Sequence, residues 1–199
     1  MSSDHLPKIY LARHGETEWS LSGQHTGTTD IPLTAHGEDN ARSLGERLKG
    51  TRFARVLTSP LQRAQRTCEL AGFGAGAEFD NDLIEWNYGD YEGRRTDDIR
   101  KERPDWFLFR DGCPGGESVQ AISARADRVL ARLRAFDGDV LLFSHGHFLR
   151  VLGARWLGLP AGDGRFLLLT TASLSILGYE HNRNEPVLRL WNDDRHVKK

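Results

Sequence analysis

The chain has 199 residues, 38% of them hydrophobic and 28% charged, with a formal charge of −1. That is the balance of an ordinary soluble protein, and it gives no global basic field for nucleic acid, so a phosphate site would have to be a local arginine cluster. Two cysteines, Cys68 and Cys113, are too few and too far apart for a disulfide framework or a zinc ribbon and read as reduced thiols.

Residues 1–8 are polar and lack the apolar run of a secretory signal. No window approaches the ~18 consecutive apolar residues of a membrane span, so the default location is the cytoplasm. Ile9-Tyr10-Leu11-Ala12 reads as a short buried strand, cut off by the polar Arg13-His14-Gly15. Thr34 is placed to cap a helix running to about residue 49, with Ala41, Leu44 and Leu48 on one face. Residues 55–58 form a second strand, stopped at Ser59-Pro60. Pro60 suits the first turn of a helix to about residue 70. A glycine-rich turn at 72–76 precedes a strand at 79–84, which leads into Glu85.

Residues 87–116 are rich in Gly, Asp and Arg with scattered aromatics, and read as a loop and short-helix insertion over the site. Ser118 caps a helix to about residue 136, with Val119, Ile122, Ala126, Val129 and Leu133 spaced by three or four. Residues 139–143 are the clearest buried strand, ending at Ser144-His145-Gly146-His147. A helix to about residue 157 follows, closed by Gly158 with Pro160 beyond. The tail holds two strand-like runs, 167–177 and 187–191. This alternation predicts a three-layer α/β/α sandwich with a mostly parallel sheet, one domain over 1–199 with a cap insertion at about 87–116.

In such sheets ligands bind beyond the carboxyl ends of the strands. Three polar loops fall there: Arg13-His14-Gly15, Ser59-Pro60 with Arg63 after it, and Ser144-His145-Gly146. Together they bring two histidines, His14 and His145, and two arginines, Arg13 and Arg63, to one crevice. Arginine suits bidentate binding of phosphate oxygens, and a neutral imidazole is a competent nucleophile toward phosphorus. Nearby guanidinium charges disfavour the imidazolium. The leaving alkoxide then needs an acid, and on residue chemistry alone several Asp and Glu could supply it.

Residues Leu11-Ala12-Arg13-His14-Gly15-Glu16-Thr17-Glu18-Trp19 resemble the signature of the histidine phosphatase superfamily, phosphoglycerate mutase-like branch. The likeness continues at Thr26-Gly27 with Pro32–Gly37, at residues 58–67, at residues 83–93, and at Ser144-His145-Gly146-His147. These blocks occur in order over nearly the whole chain. The resemblance implies His14 as the phosphorylated nucleophile, with Arg13, Arg63 and His145 around the phosphoryl group. It implies Glu85 as the general acid that later activates water, a nearby phosphate dianion helping to keep it protonated. It places Ser20, His25, Thr26, Gly27, Tyr88, Gly146 and Arg150 in substrate binding, with backbone donors near Gly27 and Gly146. Tyr88 and Arg150 face the substrate's remote end, and Arg150 is suited to a second phosphate. Ser20 departs from the asparagine of many members and reaches less far.

The finer motifs resemble sedoheptulose-1,7-bisphosphatase-like members and bacterial broad-specificity acid phosphatases. The implied activity is hydrolysis of small phosphate monoesters, sugar phosphates or bisphosphates, without metal or organic cofactor. The chain passes from Glu85 to the Gly115-Gly116-Glu117-Ser118 turn in about 30 residues, too few for the enclosure of a cofactor-dependent mutase. That leaves an open, wet pocket, which favours hydrolysis. The rivals are a phosphoglycerate mutase and a non-catalytic phospho-ligand module. The expected partner is a small phosphate ester, with no nucleic acid and no membrane; a homo-oligomer is left open.

Other readings are weighed beside these. His145 and His147 could pair on a metal, but carboxylate ligands at suitable spacing are not evident. Glu16 rivals Glu85 as proton donor. Taken singly, His25, His36 and His181 read as polar loop residues, with His181 in a tail able to fold back over the site. Trp86, Trp106, Phe107 and Phe109 read as cap packing. The arginines from 125 to 134 read as the solvated face of a helix.

Overall fold

A computed structural model describes residues 6–198. Residues 1–5, on which the signal-peptide reading mostly rested, lie outside the described residues. No helix among the described residues is long and apolar enough to cross a membrane.

Strand β1 (Ile9–Arg13) pairs in parallel with β4 (Val140–Ser144), from Ile9↔Val140 to Arg13↔Ser144. On the far side of β4 lies β2 (Arg55–Thr58), also parallel, and β3 (Ala77–Phe79) is the edge beyond it. On the other side of β1 run β5 (Leu174–Tyr179) and β6 (Pro186–Asp193), each antiparallel to its neighbour. The order is β3-β2-β4-β1-β5-β6, and only β5 runs against the rest. The register has a chemical consequence. Arg13 lies beside Ser144, and Thr58 beside Phe143, so His14, Ser59 and His145 leave the sheet at one edge. The ladder carries on past the strand ends: His14 N–H donates to Ser144 O at 2.9 Å and Ser59 N–H to Phe143 O at 2.9 Å.

Period-two alternation in β4 sets the layers. Leu141 and Phe143 pack with Leu44 and Leu48 of α2 (Ala35–Leu48) and Cys68 of α3 (Gln62–Leu70). Val140 and Leu142 pack on the opposite face, with Ile122, Val129 and Leu133 of α6 (Val119–Arg134) and Phe148 and Leu152 of α7 (Gly146–Trp156). All five β4 residues are buried, as a strand covered on both faces requires. Thr34 and Ser118 are the caps expected of them, accepting from Gly37 N–H and Ala121 N–H.

The insertion holds short helices α4 (Thr96–Glu102) and α5 (Leu108–Asp111). Its apolar residues Tyr91, Ile99, Trp106, Leu108 and Phe109 join the same core cluster as the sheet. A further short helix, α1 (Glu18–Ser22), follows the His14 loop and was not foreseen.

Three boundaries differ from the sequence reading. Pro60 lies outside α3, whose N-cap is Leu61; Ser59 Oγ accepts from Leu61 N–H and makes a turn there first. Strand β3 is Ala77–Phe79 rather than 79–84, because the Asp80 side chain caps a 3₁₀ turn at Asn81–Leu83 and ends the ladder. Residues 167–173 are not strand. Ala172 sits at φ 56°, and its N–H donates to His14 O at 3.0 Å, wrapping the segment round the end of β1.

Candidate active site

His14 is buried at the carboxyl end of β1. Its Nδ1 lies 2.7 Å from the Gly15 carbonyl. A carbonyl only accepts, so Nδ1 carries the proton and Nε2 keeps its lone pair. Burial, then the charges of Arg63 and Arg13, hold the imidazole well below its ordinary pKa, so the free base persists in acid. The loop is fixed from two sides. Gly15 N–H donates to Thr67 Oγ1 at 3.0 Å, one turn along α3 from Arg63, and Thr67 Oγ1 donates to Arg63 O at 2.7 Å. Gly15 also meets Gly37 at the start of α2, where a Cβ on Gly15 would stand 2.5 Å from Gly37 O.

Arg63 and His145 form a layer behind His14, both fully buried. Arg63 Nε donates to His145 Nδ1 at 3.1 Å, so that nitrogen is unprotonated, and His145 Nε2 donates to Ser59 Oγ at 2.8 Å. Burial first, then Arg63, holds His145 neutral as well. The other Arg63 nitrogens donate to the carbonyls of Thr29, Thr26 and Gly27. The His14 and His145 ring centres are 5.1 Å apart.

In front of His14 opens a cavity of about 260 Å³. Arg13, His14, Ser20, His25, Thr26, Glu85, Tyr88, Gly146 and Arg150 line it, with His147, Trp19, Gln24, Thr96 and Leu169 among the others. Arg13 Nη1 is anchored on Leu169 O at 2.5 Å, while its buried Nε has no hydrogen-bond partner among the described residues. Gly146 makes room for that guanidinium: a Cβ there would lie 3.2 Å from Nε. Glu85 caps α7. Its Oε1 accepts from Trp86 and Phe148 N–H at 2.9 and 2.8 Å, and Oε2 accepts from His147 N–H at 3.0 Å. Oε2 therefore keeps the spare capacity to carry a proton.

The remote wall is built of rings. Tyr88 OH lies 2.6 Å from His147 Nδ1, and His25 stacks on Tyr88 with centroids 4.7 Å apart. Burial lowers His25 to about 4 and puts His147 well below its ordinary range, so both imidazoles are neutral. Burial likewise pushes the Tyr88 phenol well above its usual value. Arg150 lies over the Phe109 ring and donates Nε and Nη2 to the carbonyls of Gly164 and Arg165.

Several expectations need correction. Gly27 is not on the cavity wall: its N–H donates to Glu92 Oε1 at 2.8 Å, and its carbonyl holds Arg63. Ser20 lines the cavity, but its hydroxyl donates to Thr17 O at 2.8 Å within a capping box for α1. Glu16 turns away to Thr34 and His36, which removes it as a rival acid. His25 is buried in the wall rather than a polar loop residue at the surface. His181 pairs with Glu185 in the β5–β6 turn, at the opposite end of the sheet, because β5 runs antiparallel to β1. The metal-pair reading fails on geometry, since Nδ1 of His145 accepts from a guanidinium and Nδ1 of His147 meets Tyr88. Arg125 is buried, unlike the solvated face assigned to it.

His147 was the chief residue missed. Its Ser-His-Gly-His setting was visible, but only the start of α7 at Gly146 turns it to the wall. Thr96 and Leu169 carried no sequence signal, being brought in from the insertion and from the irregular segment before β5.

A sequence-family model described as histidine phosphatase superfamily (branch 1) matches residues 9–194. An acid phosphatase of Mycobacterium tuberculosis is 42% identical, over 87% of this chain and 87% of its own. Sedoheptulose 1,7-bisphosphatase of Saccharomyces cerevisiae is 38% identical, over 77% and 68%. A probable phosphoglycerate mutase GpmB of Salmonella choleraesuis is 37% identical, over 88% and 86%. Among solved structures, that of the Rv3214 open reading frame of Mycobacterium tuberculosis superposes with a TM-score of 0.88 at 39% identity, covering 94% of this chain and 97% of that one.

Proposed function

Because the chain belongs to the histidine phosphatase superfamily and is a phosphatase, we propose that it hydrolyses small phosphate monoesters through a phosphoryl group carried on Nε2 of His14, without a metal. The observation that carries this reading is the 2.7 Å bond from His14 Nδ1 to Gly15 O, which leaves the Nε2 lone pair free beside a guanidinium. The ester phosphate sits on the cavity side of Arg13, whose guanidinium charge lines that wall. At the start of α7, Gly146 lines the cavity, while the His147 and Phe148 amides are taken by Glu85.

Nε2 attacks phosphorus as the P–O bond to the leaving group breaks. Glu85, protonated for this step, gives its proton to the departing alkoxide. Water then enters, Glu85 takes its proton, and its oxygen attacks phosphorus as the N–P bond breaks. Inorganic phosphate leaves and Glu85 is protonated again. Burial first, and then the charge of Arg63, which is fixed by three carbonyls, keeps both imidazoles neutral. Arg13 and Arg150 stabilise the anion through direct charge.

Sugar phosphates or bisphosphates are the substrates favoured. The cavity is small, its far wall is made of neutral rings with hydrogen-bonding edges, and Arg150 stands there as a second cation. The test is rapid quench with ³²P-labelled substrate. Acid-labile, base-stable label on the protein at His14 is expected, and its absence together with turnover in His14→Ala would reject the mechanism. The mutase reading draws on the GpmB relative. Isomerisation primed by a bisphosphoglycerate and outrunning phosphate release would favour it instead.

A further inference from the structure

We propose that Arg125, locked by Glu117, is a positioning residue for Glu85, a role that rests on reading Glu85 as the proton donor. Glu85 does not come from a helix or a strand. It follows the Asn81–Leu83 turn in an irregular stretch that reaches to residue 88. Such a stretch has no ladder to hold its carbonyls, and a donor placed on it drifts unless something else fixes it.

Arg125 supplies that hold from α6. Nη1 donates to Asp82 O at 2.9 Å and to Ile84 O at 2.6 Å, and Nη2 donates to Glu85 O at 3.2 Å. The remaining donors go to Glu117: Nε to Oε1 at 2.9 Å and Nη2 to Oε2 at 2.6 Å. All five N–H groups of the guanidinium are thereby used. The central carbon of the same guanidinium lies over the Phe148 ring, 4.5 Å from its centre. Phe148 N–H is one of the three donors that hold the Glu85 carboxylate. Arg125 therefore touches the acid's backbone on one side and the residue carrying its cap on the other.

Glu117 closes the frame. Its Oε2 accepts from Asn87 N–H at 3.1 Å, and its carbonyl accepts from Trp86 Nε1 at 2.9 Å. Arg125 is buried and Glu117 half-buried, their side chains 7% and 19% exposed. The pair's charges nearly cancel, so it acts on Glu85 through geometry. Lysine cannot replace this arrangement, having three donors, no planar fork and no face to stack.

The test compares Arg125→Lys with wild type on two esters, an aryl phosphate with a good leaving group and an alkyl phosphate with a poor one. Losses are read on kcat/KM, which reports only the phosphorylation step, where a displaced acid costs the ester that needs its proton. A kcat/KM loss of about tenfold or more on the alkyl ester is expected, with a loss of about threefold or less on the aryl ester. In a Glu85→Gln background the additional loss on the alkyl ester should vanish. Equal losses on both esters, or a loss that persists in the Glu85→Gln background, would mean that Arg125 only stabilises the fold, and would overturn the proposal. Glu85→Gln alone serves as the control for the underlying reading. If it slows both esters equally, Glu85 is not the acid and the proposal falls with that assignment. Should Arg125→Lys fail to fold by circular dichroism, the same comparison with Glu117→Gln decides.

Discussion

His25 sits in the cavity wall, 8% exposed, with its ring stacked on Tyr88 and edge-on to Trp106. Among the described residues its one side-chain hydrogen bond is a 3.3 Å contact between Nε2 and Thr96 Oγ1, and none of their carboxylates pairs with it. Burial therefore lowers its pKa from 6.5 to about 4. The linkage has a definite sign. Between those values the unfolded chain binds a proton that the folded chain refuses, so stability falls as pH drops through the window. About 2.5 pH units at 1.36 kcal/mol each, less the folded state's own titration, gives a loss of about 3 kcal/mol by pH 4. His14, His145 and His147 are displaced in the same direction and steepen the curve further. Exposed His36, raised by the Lys198 carbonyl and then by Glu16, and His181, raised by Glu185, oppose it weakly. His25→Asn removes one of these titrations and leaves the others. Urea unfolding at a series of pH values should show wild type losing about 3 kcal/mol more than the variant between pH 6.5 and 4, whatever the variant's absolute stability. Parallel curves would refute the claim that His25 is buried as a neutral ring.

Gly37→Ala should destabilise the protein, because the added Cβ would lie 2.8 Å from Glu16 N and closer still to Glu16 O. Overpacking of about 1–3 kcal/mol lowers the melting temperature by several degrees in a chain of this size, and a thermal melt within a degree of wild type would contradict the contact. Arg150→Ala should raise KM for a sugar bisphosphate by about tenfold, the scale of one charge-assisted hydrogen bond, with little change for a monophosphate. Equal effects on the two substrates in steady-state assays would remove Arg150 from recognition of a second phosphate.

Two predicted loops met where the sequence placed them. Arg13-His14-Gly15 and Ser144-His145-Gly146 end adjacent, parallel, in-register strands, so a pattern of short apolar runs was enough to bring their histidines together. Thr34 and Ser118 were equally legible as caps, since capping depends on a few neighbouring residues. Pro60 and the 79–84 strand were misplaced because side-chain turns at Ser59 and Asp80 compete locally with helix and ladder, and such competition has no periodic signature.

The sequence by itself determined which strand ends carry histidine and arginine, while the choice of Glu85 among its carboxylates came from the family resemblance. Only the tertiary structure decided how those groups divide. It put Arg13 and His14 on the wall and Arg63 and His145 behind them, turned Glu16 away, and buried Arg125 under the Glu85 loop. The physical reason is range. Strand and helix patterns repeat every two to four residues, whereas these assignments depend on hydrogen bonds between groups dozens of residues apart, such as Arg63 with His145 and Arg125 with Glu85.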